Sequence, residues 1–191
     1  MLVIKWKDLL VSESNENFSR GTALSIGSFD GPHKGHFAIF ENVKKYAEEN
    51  GFLSGLVTFE KPVSYIKQGD KYNGDITTLQ ERLQIFEDYG FDFVIVCRFD
   101  ESFSEVEGEK FFDILKDKLN MKFICEGDDF RCGKNGSFSK PEIESYCSSC
   151  NINCSFIPLI SENGKRISST FIRDLLKNKL FDKARQLLSH K

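Results

Sequence analysis

Residues 27–36, GSFDGPHKGH, hold the densest set of side chains in the chain that could do chemistry. His33 and His36 are three positions apart, so on a helical turn their imidazoles share one face. A helix that begins here offers free N–H groups and the positive end of its dipole, which suit phosphate oxygens. Gly35 has no side chain and lets a ligand approach the backbone. The pattern favours a phosphate site in which imidazole donors stabilise charge on a phosphoryl group.

Other interpretations of this segment remain open. The histidine pair could belong to a simple capped turn, or it could bind zinc. The third histidine of the chain is His190, close to the chain end, which disfavours a site made of histidines alone. Asp30 could contact a substrate or a metal, or it could cap the turn through its own backbone.

A second candidate anion site lies at residues 167–173, ISSTFIR. Ser168, Ser169 and Thr170 are predicted to begin a helix, where their hydroxyl and N–H groups can hold an anion. Arg173, one turn later, can reach the same anion with its forked guanidinium. The alternative is a plain helix cap with an arginine on the surface.

Residues 126–133, EGDDFRCG, follow a predicted buried strand and contain a glycine at the point where a loop can line a pocket. Phe130 could pack against a flat ring, or it could be an ordinary core phenylalanine. Asp129 could line the same pocket or serve only as a turn residue.

Short apolar runs alternate with longer amphipathic ones, and this pattern predicts the elements that position the motifs. Strands are expected at Thr22–Ile26, Leu53–Phe59, Phe93–Cys97, 122–125 and 153–159. Helices are expected at 33–49, after capping boxes at Thr78 and Ser104, after Pro141, and twice from Ser169 onward. Segment 65–77 is predicted to be a mobile loop that could gate the substrate.

Strand–helix alternation at this spacing implies an α/β fold, with a doubly wound, mostly parallel sheet in a single domain. Such sheets bind ligands beyond the carboxyl ends of their strands. The three motifs follow strands or begin helices, so they are expected at that edge of the sheet.

The motifs together resemble the FMN adenylyltransferase module of the bacterial bifunctional riboflavin kinase/FAD synthetase family, within the H-x-G-H nucleotidylyltransferase superfamily. Residues 27–36 resemble its G-x-F-D-G-x-H-x-G-H segment. Residues 126–133 resemble G-x-D-F-R-F-G, which lies against the flavin, and 167–173 resemble I-S-S-T-R-I-R, which holds the ATP phosphates. Residues 58–60, TFE, resemble the start of T-F-E-P-H-P. The resemblance extends over nearly the whole chain.

The resemblance implies a Rossmann-like nucleotidylyltransferase fold that transfers AMP from ATP, with Mg²⁺, to FMN, giving FAD and pyrophosphate. It implies catalytic roles for His33, His36 and Arg173. The ATP-binding residues that it implies are Gly27, Ser28, Phe29, Asp30, Gly31, His33, Gly35, His36, Ser168, Ser169, Thr170 and Arg173. The flavin-binding residues that it implies are Thr58, Asp128, Asp129 and Phe130.

The chain departs from the family pattern at several positions. Residues 61–63, KPV, stand where the family has Pro-His-Pro, Cys132 replaces a phenylalanine, and Phe171 replaces an arginine. Two alternatives therefore stay open: a different phosphate-bearing acceptor, or a flavin- or nucleotide-binding module with weakened catalysis. Only 18 residues follow Arg173, so the riboflavin kinase domain is expected to be absent and 1–191 to form one adenylyltransferase-like domain.

The composition of the 191-residue chain excludes several classes of protein. Hydrophobic residues make up 40% and charged residues 29%, which is typical of a folded domain and not of a disordered chain. The net charge of −3 provides no basic field for nucleic acid. No run approaches the ~18 apolar residues that a membrane helix needs. We expect ATP and FMN as small-molecule partners, no nucleic acid, no membrane contact and a cytoplasmic location.

Six cysteines are expected to be reduced thiols in that compartment. Cys147, Cys150 and Cys154 have a C-x-x-C-x-x-x-C spacing that could hold zinc or an iron–sulfur cluster. A fourth ligand would have to come from elsewhere, such as Cys132 or Cys125. Unligated thiols are the favoured interpretation.

Overall fold

The computed structural model describes residues 1–12, 16–63, 65, 72, 74–162 and 164–188. Its main sheet has six strands: β1 (Leu2–Lys5), β2 (Thr22–Ile26), β3 (Leu53–Phe59), β4 (Phe93–Cys97), β5 (Met121–Gly127) and β8 (Asn153–Ile157). The strands are in the order β1-β4-β3-β2-β5-β8, and every neighbouring pair is parallel. Two antiparallel pairs of two-residue strands form separate small sheets: β6 (Arg131–Cys132) with β7 (Phe138–Ser139), and β9 (Ser161–Glu162) with β10 (Lys165–Arg166).

The described helices connect these strands. They are α1 (Trp6–Val11), α2 (Lys34–Asn50), α3 (Leu79–Asp88), α4 (Glu101–Ser104), α5 (Gly108–Leu119), α6 (Lys140–Ser149), α7 (Ser169–Lys177) and α8 (Phe181–Leu188). Short 3-10 turns occur at Glu16–Phe18 and Lys134–Gly136. None of the helices in these described ranges is long and apolar enough to cross a membrane.

The helices cover both faces of the sheet. On one face, Phe40 of α2 and Phe86 of α3 pack with Leu56 and Val94 of the central strands. On the other face, residues of α1, α5 and α6 form a second buried cluster with the opposite sides of the same strands. A strand that is buried on both faces has a continuous apolar sequence, which is why β4, FVIVC, is recognisable from the sequence. The doubly wound α/β prediction is confirmed.

The strand order reverses between β2 and β5. The chain proceeds from β2 through β3 to β4 in one direction, and β5 then returns to the other side of β2. Pairing of these two strands includes Ala23 with Phe123 and Leu24 with Ile124, but does not continue to their carboxyl ends. A crevice therefore opens between the two ends, as expected at a topological switch point.

The predicted boundaries of the site-bearing elements agree closely with the structure, including the capping box at Thr78, whose hydroxyl accepts a hydrogen bond from Glu81 N at 3.2 Å. The capping box predicted at Ser104 is wrong. Ser104 ends the short helix α4, which is capped instead by Asp100 accepting from Phe103 N at 3.0 Å. The longer helix begins at Gly108, after an extended Glu107 that makes no side-chain cap.

The N-terminal strand β1 and helix α1 were not predicted, because charged residues interrupt the apolar run there. As an edge strand, β1 is paired only with β4, and its Leu2 and Val3 are exposed. Residues 66–71 and 73 of the predicted mobile loop lie outside the described residues. Ile76 and Thr77, at the end of that segment, donate backbone hydrogen bonds to Asp30.

Candidate active site

A groove of two lobes lies along the switch point. The histidine lobe, about 300 Å³, is lined by His33 and His36 of α2 and by the segment that begins α7. The aromatic lobe, about 450 Å³, lies between the end of β3 and the turns that follow α4 and β6. Ile26, Gly27 and Phe130 belong to the walls of both lobes. Ligands in the two lobes would therefore meet at the end of β2.

The histidine pair lies at the first turn of α2. His33 is the N-cap residue, and its ring stacks on that of His36 with ring centres 3.8 Å apart. The ring of Phe29 packs edge-on against His36 at 5.3 Å, so the far side of the pair is supported by the core. Among the described residues, the Nδ1 atoms of both histidines are buried without a hydrogen-bond partner. Buried polar atoms without partners are rare and costly, so this pair of rings stands out from the rest of the core.

Both imidazoles are neutral at pH 7. Burial lowers the pKa of His33 to about 4, and the positive charge of Arg166 contributes to the same shift. Burial also lowers the pKa of His36 well below its usual range, with a further contribution from His33. A neutral imidazole has one N–H donor and one acceptor nitrogen. The pair can hydrogen-bond to phosphoryl oxygens without transferring a proton.

Asp30 holds the turn before α2 to two distant segments. Its buried carboxylate, 1% exposed, accepts hydrogen bonds from Ile76 N at 3.0 Å and Thr77 N at 2.9 Å. It also forms an ion pair with the guanidinium of Arg173, whose Nε donates to Gly74 O at 2.9 Å. We name this set of contacts the Asp30 latch. Arg173 is thus held inside the latch and lies outside the walls of both lobes.

Gly31 and Ser169 also connect the turn before α2 to neighbouring segments. Gly31 has φ of +59°, and a Cβ there would lie 2.5 Å from Ile76, so the position requires glycine on both grounds. Its N–H donates to Thr77 Oγ1 at 2.8 Å. Ser169 Oγ donates to Asp30 O at 2.8 Å, which joins the start of α7 to the histidine turn.

The wall opposite α2 is formed by the segment leading into α7. Ser168 caps α7, and its Oγ accepts from Phe171 N at 3.2 Å. Arg166 forms an ion pair with Asp129, and both residues lie on the wall of the histidine lobe. Arg166 lies on a strand of only two residues, and its pairing with Asp129 could not be read from the sequence.

The aromatic lobe is largely apolar. Its rings come from elements scattered along the chain: Phe59, Phe99, Phe103, Phe111 and Phe130. Ser28 also lies on this wall, and its Oγ accepts from Val63 N at 3.1 Å. Because these rings are far apart in sequence, no local pattern indicates that they share a cavity.

Beneath this wall lies a fully buried arginine, Arg82, which the sequence gave no reason to single out. Its guanidinium donates to Ser28 O at 2.7 Å, Phe59 O at 3.0 Å and Glu60 O at 3.2 Å. Thr58 is part of the same arrangement, since its hydroxyl accepts from Arg82 at 3.1 Å and donates to Ser28 O at 3.2 Å. Arg82 therefore fixes the ends of β2 and β3 relative to each other.

The structure brings most predicted site residues together and leaves some outside. Those on the wall of the histidine lobe are Gly27, Phe29, His33, Gly35, His36, Asp129, Phe130, Ser168 and Ser169. Those on neither wall are Asp30, Gly31, Thr58, Asp128, Thr170 and Arg173. Asp128 instead forms an ion pair with Lys140 at 2.7 Å, and Thr170 is exposed at the start of α7.

The cysteine motif lies away from the groove, at the end of α6 and the start of β8. All six cysteines are free thiols in the structure, and burial raises the pKa of Cys147 to about 12. Within the part of the chain that is described, no group of three or more histidine, cysteine or acidic residues is arranged to hold a metal ion.

A doubly wound parallel sheet with a histidine pair at its switch point defines an α/β protein whose candidate site lies at the carboxyl ends of its strands. Residues 15–171 match the model of the FAD synthetase family. The chain is 30% identical over 172 residues to an FAD synthetase of Listeria monocytogenes, covering 90% of this chain and 70% of that protein. This chain belongs to the FAD synthetase family.

Other relatives are longer proteins. The chain is 34% identical over 177 residues to a bifunctional riboflavin kinase/FMN adenylyltransferase of Buchnera aphidicola subsp. Schizaphis graminum, covering 91% of this chain but 56% of that protein. It is 31% identical over 173 residues to the protein of the same description in Escherichia coli K12, covering 89% and 55%. The chain thus spans little more than half the length of these curated relatives.

Solved structures support the fold alone. A macrolide-efflux protein from Streptococcus pneumoniae superposes with a TM-score of 0.81 at 22% identity, covering 98% of this chain and 60% of that one. A pantoate-beta-alanine ligase from Francisella tularensis superposes with a TM-score of 0.56 at 13% identity, covering 98% and 86%.

Proposed function

We propose that this chain transfers AMP from ATP to the phosphate of FMN, giving FAD and pyrophosphate, and that residues 1–191 act in this as one adenylyltransferase-like domain. The observation that carries the proposal is the groove with two unlike lobes that meet at the end of β2, in a chain of the FAD synthetase family. Its Buchnera and Escherichia relatives are described as FMN adenylyltransferases.

The two lobes suit the two substrates. An apolar lobe lined by phenylalanine rings favours the flat ring system of a flavin. A lobe at the first turn of a long helix, with unpartnered imidazoles and an arginine on its wall, favours a triphosphate. In this arrangement the flavin phosphate and the α-phosphate of ATP meet beside Gly27, which both lobes share.

The reaction that fits this placement is an in-line displacement. An oxygen of the FMN phosphate attacks the α-phosphorus of ATP, and the bond between that phosphorus and the bridging oxygen to the β-phosphate breaks. Pyrophosphate leaves with the bonding electrons, so no covalent enzyme intermediate is needed. His33 and His36 donate hydrogen bonds to the phosphoryl group as neutral imidazoles, which stabilises the charge that develops there.

The remaining site residues divide into contacting and positioning groups. Ser168, Ser169 and Arg166 hold the departing phosphates, while Gly27, Phe29 and Gly35 shape the lobe. Phe130 contacts the flavin ring from the shared wall. For Arg173 we propose a positioning role through the Asp30 latch, in place of the direct phosphate contact that the family resemblance implied. Thr58 and Asp128 likewise support the flavin side from outside the wall.

Mg²⁺ enters this proposal as part of the ATP substrate. Two carboxylates near the groove are already paired: Asp30 with Arg173, and Asp129 with Arg166. They therefore do not make a protein cage for the ion, whereas the oxygens of a triphosphate are ligands that it prefers. We propose the cytoplasm as the location, since both substrates are nucleotides found there.

The test is to incubate the chain with ATP, FMN and Mg²⁺ and to follow FAD and pyrophosphate by chromatography. We expect equal amounts of both products, and their loss in the His33→Ala/His36→Ala double variant. A chain that binds FMN but forms no FAD would contradict the proposal and favour a flavin-binding module. ATP binding without FMN binding or product would point to another phosphate-bearing acceptor.

A further inference from the structure

The floor of the groove contains an acidic side chain with no assigned role, Glu126. It lies near the end of β5, next to the point where β2 and β5 stop pairing. Its side chain fills the gap between the two strands and is only 2% exposed. It nevertheless contributes to the wall of the histidine lobe.

Only one of its two carboxyl oxygens is used by the protein. Oε1 accepts a hydrogen bond from Ile26 N at 2.6 Å and a longer one from Ser25 Oγ at 3.4 Å. Oε2 has no hydrogen bond to any described residue. It is also absent from the fully buried, unpartnered atoms of the described chain, which are Nδ1 of His33 and His36 and Nε of Arg82. Because Glu126 lines the histidine lobe, its unused Oε2 is the carboxyl oxygen left for a ligand.

Glu126 lies under the place where the two lobes meet. Ile26, which donates its backbone hydrogen bond to Glu126, belongs to the walls of both lobes. The same carboxyl lies within electrostatic range of the thiol of Cys132, which is on the wall of the aromatic lobe. A buried acid at this position is close to both substrates. If each substrate occupies its own lobe, the groups that meet at the shared wall are the phosphates.

The protonation state of Glu126 sets what it can offer. Burial raises the pKa of its carboxyl well above the usual range, and the bonds from Ile26 and Ser25 only partly oppose this. Burial without a cationic partner thus favours the protonated, neutral acid. Because Oε1 is the acceptor for Ile26, the proton of this acid belongs on Oε2, which is then a hydrogen-bond donor.

Building on the proposed function, we infer that Glu126 is a substrate-binding residue whose Oε2 donates a hydrogen bond to a phosphoryl oxygen at the junction of the two lobes. A phosphoryl oxygen only accepts hydrogen bonds, so it requires a donor. An ionised carboxylate in the same place would repel it. The phosphoryl group belongs either to FMN or to the α-position of ATP, and the two are separated by measuring each nucleotide alone.

Other titratable groups face the same region. Cys125 on β5 and Cys132 on β6 have thiol pKa values raised to about 12 by burial. His33 and His36 on α2 are neutral throughout the alkaline range, and the Arg166–Asp129 ion pair closes the lobe on the side of β10. Phosphate groups of the ligands lose their last proton near pH 6. Glu126 is thus the group whose titration is tested between pH 7 and pH 10.

The experiment measures the dissociation constants of ATP and of FMN separately, by calorimetry, for the parent chain, Glu126→Gln and Glu126→Leu. The glutamine keeps an acceptor for Ile26 and an N–H donor toward the groove, whereas the leucine has neither. At pH 7 we expect Glu126→Leu to weaken binding of at least one nucleotide by about tenfold or more. Glu126→Gln should stay within about threefold of the parent.

The pH profile separates ligand contact from a structural role. Ionisation of Glu126 at alkaline pH removes the donor and adds a negative charge, so the affinity of the parent should fall with rising pH relative to that of Glu126→Gln. A role limited to holding Ile26 would give the same profile in both. Ser25→Ala is the matched control, because it removes a partner of Oε1 and leaves Oε2 unchanged; its affinities should stay within about twofold of the parent.

Equal affinities in the parent and both variants would overturn the inference, as would identical pH profiles for the parent and Glu126→Gln. A parent chain that binds neither nucleotide would overturn it as well. If Glu126→Leu does not fold, the pH profile of Glu126→Gln decides. Binding can be measured without turnover. If the parent forms no FAD, the proposed function is contradicted, but the binding measurements still test the role of Glu126.

Discussion

The two lobes of the groove are held together in different ways. The histidine lobe depends on directional polar contacts, with the Asp30–Arg173 ion pair and the bond from Ser169 joining three separate segments. The aromatic lobe depends on ring packing, as in Phe103, whose ring centre lies 5.6 Å from those of Trp6 and Phe99. Directional contacts fix the position of a reacting group, whereas ring packing provides area for a flat ligand.

Arg82 combines the two kinds of interaction, because it makes directional polar contacts behind the apolar wall of the aromatic lobe. It is a buried cation that donates to backbone oxygens at the ends of β2 and β3, and its Nε has no partner among the described residues. It supports the aromatic lobe from below through Ser28 and Phe59. Even the apolar lobe therefore depends on a polar scaffold behind its rings.

The largest expected effect comes from breaking the Asp30 latch. Arg173→Met should lower the free energy of unfolding by about 3–5 kcal/mol, because it leaves the buried carboxylate of Asp30 without its counter-charge. Urea unfolding measures this. The double variant Asp30→Asn/Arg173→Met should recover part of the loss, since the uncompensated charge is gone. A single variant as stable as the parent would contradict the latch.

The next largest effect is expected from a change in the histidine lobe that lowers the rate of reaction without changing flavin binding. His36→Ala should lower kcat for FAD formation by roughly a hundredfold or more, as loss of a transition-state donor does, and leave the KM for FMN little changed. Steady-state kinetics on folded protein measure both constants. A variant with the parent's kcat would remove His36 from the catalytic residues.

Removing a ring from the aromatic lobe should have the opposite signature. Phe103→Ala should raise the KM for FMN by about tenfold through lost contact with the flat ring, and leave ATP binding unchanged. Phe181→Ala is the matched control, because this phenylalanine is 58% exposed on α8. An equal rise in the KM for ATP would show that the lobes are not separate binding sites.

The smallest effect concerns the electrostatics of the histidine lobe. Arg166→Met should raise the pKa of His33 from about 4 toward 6.5 without reaching it, because burial is the larger cause of the shift. An NMR titration of the imidazole measures this, with Lys34→Met as a control.

A linked stability measurement follows from the direction of that shift. A histidine whose pKa is lower in the folded state contributes stability above pH 6.5 that is lost as pH falls toward 4. The acid loss should therefore be smaller in Arg166→Met than in the parent. An unchanged His33 pKa would mean that the Arg166 charge does not reach the ring.

The sequence alone determined the fold class and the family, both of which the structure and the comparisons confirm. Strands such as Phe93–Cys97 are apolar on both faces, and the Thr78 capping box depends on residues three positions apart, so both are visible locally. The histidine turn was identified for the same reason, since its residues are neighbours in the chain. The individual catalytic roles stay predictions.

Only the tertiary structure decided which partners the polar residues have. Arg173 meets Asp30 across 143 positions, so its pattern in the sequence indicated a phosphate ligand and gave no sign of the latch. In the sequence Glu126 is an ordinary carboxyl at the end of a strand, and only the divergence of β2 and β5 makes it a buried acid with a raised pKa in the groove. Charge state and pairing depend on what surrounds a side chain in space, and spacing along the chain does not contain that information.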